Sequence, residues 1–153
     1  MLKWQKYLAI SEKMLTFASS IKTISNMKKS IKKIVNDKEF LVNWLADASF
    51  TPFWAKFGTH TDTPKDVYEN ARMFNECREE VWAEVLLNGG FLLIEDVEEE
   101  KEYKISLKDV EKGLKALIFN YPRNYANIMT EEGDFYDYDA LLQCVVFGDV
   151  IYG

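Results

Sequence analysis

Apolar residues recur at helical spacing through most of this chain and change to strand-like runs only around residues 91–105. Residues 2–18 read as a helix with Leu8, Leu15, Phe17 and Ala18 among its apolar positions. From Phe17 the apolar positions continue at Ile21, Ile24, Met27, Ile31 and Ile34, in steps of 4, 3, 3, 4 and 3. Asp37 is placed to cap a helix from Glu39 to Ala48, with Phe40, Val42, Trp44 and Leu45 on its apolar side. Thr51-Pro52 and Gly58 then punctuate an aromatic loop with Phe50, Phe53, Trp54 and Phe57.

Thr63 as N-cap and Pro64 in the first helical position predict one long helix, Pro64–Asn88. Its core side holds Val67, Ala71, Phe74, Val81, Val85 and Leu86, and Asn88-Gly89-Gly90 ends it. Phe91–Asp96 and Glu102–Ile105 read as an antiparallel hairpin across the turn Val97–Lys101. Ser106, with Asp109 three residues on, opens a helix that runs to about Phe119. Tyr121–Met129 is a short helix with Pro122 at its start, and Glu131–Tyr136 is an acidic loop. Asp137 or Asp139 caps a last helix, Ala140–Phe147. The expected fold class is α+β, mostly helical, with a small antiparallel hairpin or sheet near residues 91–105.

Charge divides the chain. Residues 1–36 carry eight lysines against the single acid Glu12, a net +7, so the overall −6 leaves −13 for the remaining 117 residues. This predicts a basic amphipathic helical arm, 1–36, joined to an acidic α+β domain, 37–153. Lys28, Lys29, Lys32 and Lys33 stack at i,i+4 on one side of the arm. They are candidates for contact with phosphate or an acidic partner, beside the plainer reading of a solvated lysine face.

The acidic body is unsuited to nucleic acid and suited to a basic protein surface. Its candidate contact residues are Glu98, Glu99, Glu100 and Glu102 on the hairpin, with Glu131, Glu132 and Asp134 in the later loop. Phe53, Trp54 and Phe57 are either core residues or aromatic anchors for a partner.

Candidate chemistry is sparse. His60 is the sole histidine, near Asp62, with no nucleophile motif beside it. It anchors a further reading as a small ligand binder or enzyme. The aspartates at 134, 137 and 139 lack the glycine and terminal glutamate of a calcium loop. No zinc spacing involves Cys77 or Cys144, and both read as buried free thiols. The expectation is no catalytic residue, no metal and no cofactor. The start of the chain has no secretory pattern, and no window reaches about 18 apolar residues, so no membrane association and a cytoplasmic location are expected.

VWAEVLLNGG (81–90), EYKISLKDVEKGL (102–114), YPRNYANIM (121–129) and DALLQCVVFGDVIYG (139–153) together resemble a family of small proteins encoded by bacteriophages and other bacterial mobile elements. Those proteins share a helix ending in Asn-Gly-Gly, an acidic strand pair leading into a Leu-Asp helix, and a Phe-Gly-acid-Val-x-Tyr-Gly ending. The resemblance covers roughly residues 40–153 and leaves 1–36 outside it. It implies a mobile-element origin and no particular activity; by analogy with other small acidic phage proteins, an accessory protein acting in the cytoplasm of a bacterial host is expected. Such a protein would bind a host protein or protein–nucleic-acid complex, for example as an inhibitor of a defence system such as a CRISPR effector. The alternative is a nucleic-acid-associated protein using the lysine arm.

Overall fold

A computed structural model describes residues 19, 21–50 and 53–153. The predicted helix over 2–18 and the Thr51-Pro52 break lie outside the described residues. The chain divides into two compact units, Met1–Lys33 and Ile34–Gly153.

Helix α1 covers residues 21–35. In the first unit Lys28, Lys29, Lys32 and Lys33 are exposed, as are Ile21 and Ile24.

The second unit begins with α2 (Lys38–Phe50). Asp37 Oδ1 accepts from the Glu39 backbone N–H at 3.0 Å, the predicted cap. Strand β1 (Ala55–Thr59), α3 (Lys65–Phe74) and α4 (Arg78–Leu87) follow, then β2 (Leu92–Asp96) and β3 (Lys101–Ile105). Helices α5 (Leu107–Asn120), α6 (Pro122–Met129) and α7 (Phe135–Phe147) complete the unit. The class is the expected mostly helical α+β fold.

The sheet has three antiparallel strands in the order β1-β2-β3. β1 was expected to be loop. It forms by pairing Phe57 with Ile94 and Thr59 with Leu92, partners far along the chain that no local pattern announces. Leu92, Ile94 and Asp96 alternate inward along the central strand β2.

The predicted helix Pro64–Asn88 is two helices, broken at residues 75–77. Asn75 is extended at φ −133° and ψ 138°, and its side-chain amide donates back to the Ala71 carbonyl at 2.8 Å. Glu80 then accepts from the Cys77 N–H at the start of α4. The break leaves Phe74 78% exposed rather than in the core, and Cys77 exposed rather than buried. Thr63 caps nothing. Its hydroxyl donates to the Phe91 carbonyl and accepts from the Phe91 N–H, tying the loop before α3 to the start of β2.

Other signals fall where expected. Gly89 takes a left-handed φ of +84° after α4, and Ser106 and Asp109 form a reciprocal capping box on α5. α7 starts earlier than predicted, because Asp134 caps it rather than Asp137 or Asp139. Residues Ala140 to Val145 are all buried, so α7 is the central helix, packed on α2, α5 and α6. α5 comes so close that a Cβ on Gly113 would lie 2.5 Å from the Val145 Cα.

Candidate functional site

The acidic turn is built on a buried carboxylate. Asp96 is fully buried at the end of β2, and its Oδ1 accepts from the Glu98 and Glu99 backbone N–H groups at 3.0 and 3.3 Å. The Tyr152 hydroxyl donates to the same carboxylate, 2.9 Å from Oδ2. Burial, and then the bond to Asp96, push the Tyr152 phenol up to about 12. One buried acid therefore joins the turn to the tail.

Beyond that clamp the chain presents charge. Glu98, Glu99, Glu100 and Glu102 are exposed, and Glu95 faces Glu102 directly across the strands. Like charges in that register repel. Glu131 and Glu132 are exposed in the α6–α7 connection. The ion pairs among the described residues use Glu69, Glu79, Glu84 and Asp62 and none of the six exposed glutamates 98, 99, 100, 102, 131 and 132. Asp134 belongs to the helix instead, because its carboxylate accepts from the Tyr136 and Asp137 N–H groups. Two of the glutamates adopt the left-handed backbone that favours glycine: Glu100 at φ 52° and Glu131 at φ 59°. The hairpin acids and the Glu131–Glu132 pair sit on different elements, and no hydrogen bond or ion pair among the described residues joins them.

The predicted aromatic anchors separate. Trp54 is completely buried against Phe147 and Tyr152, with its indole N–H donating to Asp139 at 2.8 Å, so it is core and not an anchor. Phe57 is half-buried, with its ring 5.5 Å from that of Trp82. Phe53 alone stays open, 64% exposed.

His60 serves its own loop. Its Nδ1 accepts from the Asp62 backbone N–H at 3.0 Å, and Lys104 bonds the Asp62 carboxylate and holds it below the usual range. Among the described residues no group of three or more His, Cys, Asp or Glu could hold a metal ion. No described helix is long and apolar enough to cross a membrane.

One further feature is announced by no pattern along the chain. A cleft of about 500 Å3 opens between α2, the start of α7 and the tail. Aromatic side chains of Phe53, Tyr121, Phe135, Tyr136 and Tyr152 line it, with the carboxylates of Asp47 and Asp139. Gln143 forms part of its floor.

No protein-family model, curated protein or solved structure matches this chain.

The ending DALLQCVVFGDVIYG has a structural account of its own. Gln143 is a buried amide with all its main valences used. Its Nε2 donates to Asp139 and to the Tyr152 carbonyl, and its Oε1 accepts from the Ile151 and Tyr152 N–H groups. Gly148 ends α7 in the left-handed region at φ +78°, and the Tyr121 hydroxyl donates to Asp149. A glutamine within the otherwise apolar run 140–147 is the sequence signal that could have found this latch.

Proposed function

We propose that this chain is a non-catalytic accessory protein of a bacteriophage or similar mobile element, and that it binds a host macromolecule through a basic surface of that partner. A host defence nuclease, such as a CRISPR effector with its cationic nucleic-acid channel, is the kind of target that fits. The resemblance over residues 40–153 supplies the setting. One observation carries the binding mode: six exposed glutamates have no counter-ion among the described residues, and two of them occupy backbone positions where glycine would be easier. A left-handed backbone costs a non-glycine residue roughly 1–2 kcal/mol. Residues kept against a local preference are candidates for function.

The test is capture from a bacterial host lysate on the immobilised full chain, with and without nuclease. The expected result is a host protein retained in both arms and released by salt. Loss of all retained material on nuclease treatment would move the target to nucleic acid and favour the lysines at 28, 29, 32 and 33.

A further inference from the structure

We infer that the aromatic cleft between α2, the start of α7 and the tail receives an arginine or lysine side chain from a basic segment of a protein partner. The inference rests on the proposed basic partner and adds where one of its side chains sits. Three observations carry it. First, the walls are aromatic and open: Phe53 is 64% exposed, Phe135 43% and Tyr136 67%, although such rings are usually covered. Aromatic faces attract cations through their quadrupole.

Second, the charge inside is one-sided. Asp47 and Asp139 are among the lining residues, and no Lys, Arg or His is. Asp139 is fixed in place by the Trp54 indole N–H and the Gln143 amide. Asp47 is exposed and has no hydrogen bond or ion pair among the described residues. A purely apolar occupant would desolvate the Asp47 carboxylate without compensation, and a phosphate would be repelled. An ammonium or guanidinium group meets both rings and acids. Third, about 500 Å3 exceeds what one such side chain fills, leaving room for the flanking peptide.

The experiment titrates the isotope-labelled full chain by NMR with the peptide acetyl-Gly-Arg-Gly-amide. Its neutral citrulline counterpart, spermidine and a short oligothymidylate serve as separate probes. The arginine peptide is expected to shift resonances of Phe53, Tyr136 and Tyr152 saturably, and the citrulline peptide to bind about tenfold more weakly. Asp47→Asn and Tyr136→Ala each weaken arginine-peptide binding about fivefold and leave the melting temperature unchanged, because both side chains are exposed. Equal binding of the arginine and citrulline peptides, tighter binding of spermidine or the oligonucleotide, shifts confined to Glu98–Glu102, or no shift at all would each overturn the inference. A variant with Glu98, Glu99 and Glu100 changed to Gln keeps the cleft titration. If the cleft stays silent while host-protein capture still depends on those glutamates, only the cleft assignment falls.

Discussion

Asp96 is a small group with a large share of the local order. Its carboxylate is fully buried, and it satisfies two turn N–H groups and the Tyr152 hydroxyl. Replacing it with Ala removes the partner of all three donors and is expected to cost about 2–3 kcal/mol in urea unfolding. The Tyr152 side of the contact gives a pH signature. Its phenol is raised from 10.0 to about 12 in the folded chain, so the protonated form is the one folding favours. That contribution is complete below about pH 10 and is lost as pH rises toward about 12. The bond to Asp149 also raises Tyr121, and burial raises Tyr138, so ultraviolet titration should show several tyrosines ionising late, with Tyr152→Phe abolishing the latest step. A step near pH 12 that survives the substitution would assign it elsewhere.

The thiols make a second residue-level contrast. Cys77 is exposed at the start of α4, while burial pushes Cys144 up to about 11. A thiol reagent at neutral pH should label one cysteine quickly and the second only on unfolding, with Cys77→Ser removing the fast reaction. Rapid labelling of both would contradict the buried placement of Cys144.

Among the elements, those announced by local chemistry were legible. The Asp37 cap, the Ser106–Asp109 box, the stop at Gly89 and the acidic hairpin each rest on residues a few positions apart. What escaped depends on distant partners or on competition between equivalent signals. β1 exists because Phe57 and its neighbours pair with β2, and its short aromatic run carries too few alternations to show a strand. The break between α3 and α4 has no Gly or Pro. It is made by the Asn75 side chain turning onto Ala71 and by Lys38 donating to Asn75 from α2. Three aspartates offered themselves as the α7 cap, and only tertiary contacts separate their roles. Asp134 caps, Asp137 is buried against Asn124, and Asp139 holds Trp54. The glutamates of the candidate surface were legible as exposed charge, whereas the aromatic cleft was not, since its walls come from α2 and the residue Phe53 beyond it, the start of α6, α7 and the tail.

Three substitutions probe these elements in opposite directions. Gly113→Ala would force a Cβ into the Val145 backbone, where the α5–α7 approach leaves no room. The expected loss is about 2 kcal/mol in chemical denaturation, despite the better helix propensity of Ala. Glu100→Gly and Glu131→Gly relieve positive φ angles of 52° and 59°. Each should leave stability unchanged or raise it by up to about 1 kcal/mol, while weakening partner binding. If either destabilises the fold, the glutamate has a structural role and its support for the binding surface is withdrawn.

At the scale of the whole molecule, the chain combines a lysine-rich first unit with a strongly acidic second one. Most buried polar groups of the second unit are accounted for by folding, through the Asp96 clamp, the Gln143 latch and the capping boxes, while the buried Trp44 indole N–H has no hydrogen-bond partner among the described residues. Six exposed glutamates without an ion pair among the described residues lie outside them, on the β2–β3 hairpin and the α6–α7 connection. Exposed charge of this kind acts mainly on the rate and specificity of encounter, so binding should weaken steeply with ionic strength. The most direct measurement compares capture of a host protein by the wild-type chain and by a variant with Glu98, Glu99, Glu100, Glu131 and Glu132 changed to Gln, in nuclease-treated lysate across a salt series. The expected result is a drop of at least about tenfold for the variant, with the same melting temperature and a flatter salt dependence. Equal capture by the two proteins at every salt concentration would contradict the acidic surface as the binding face.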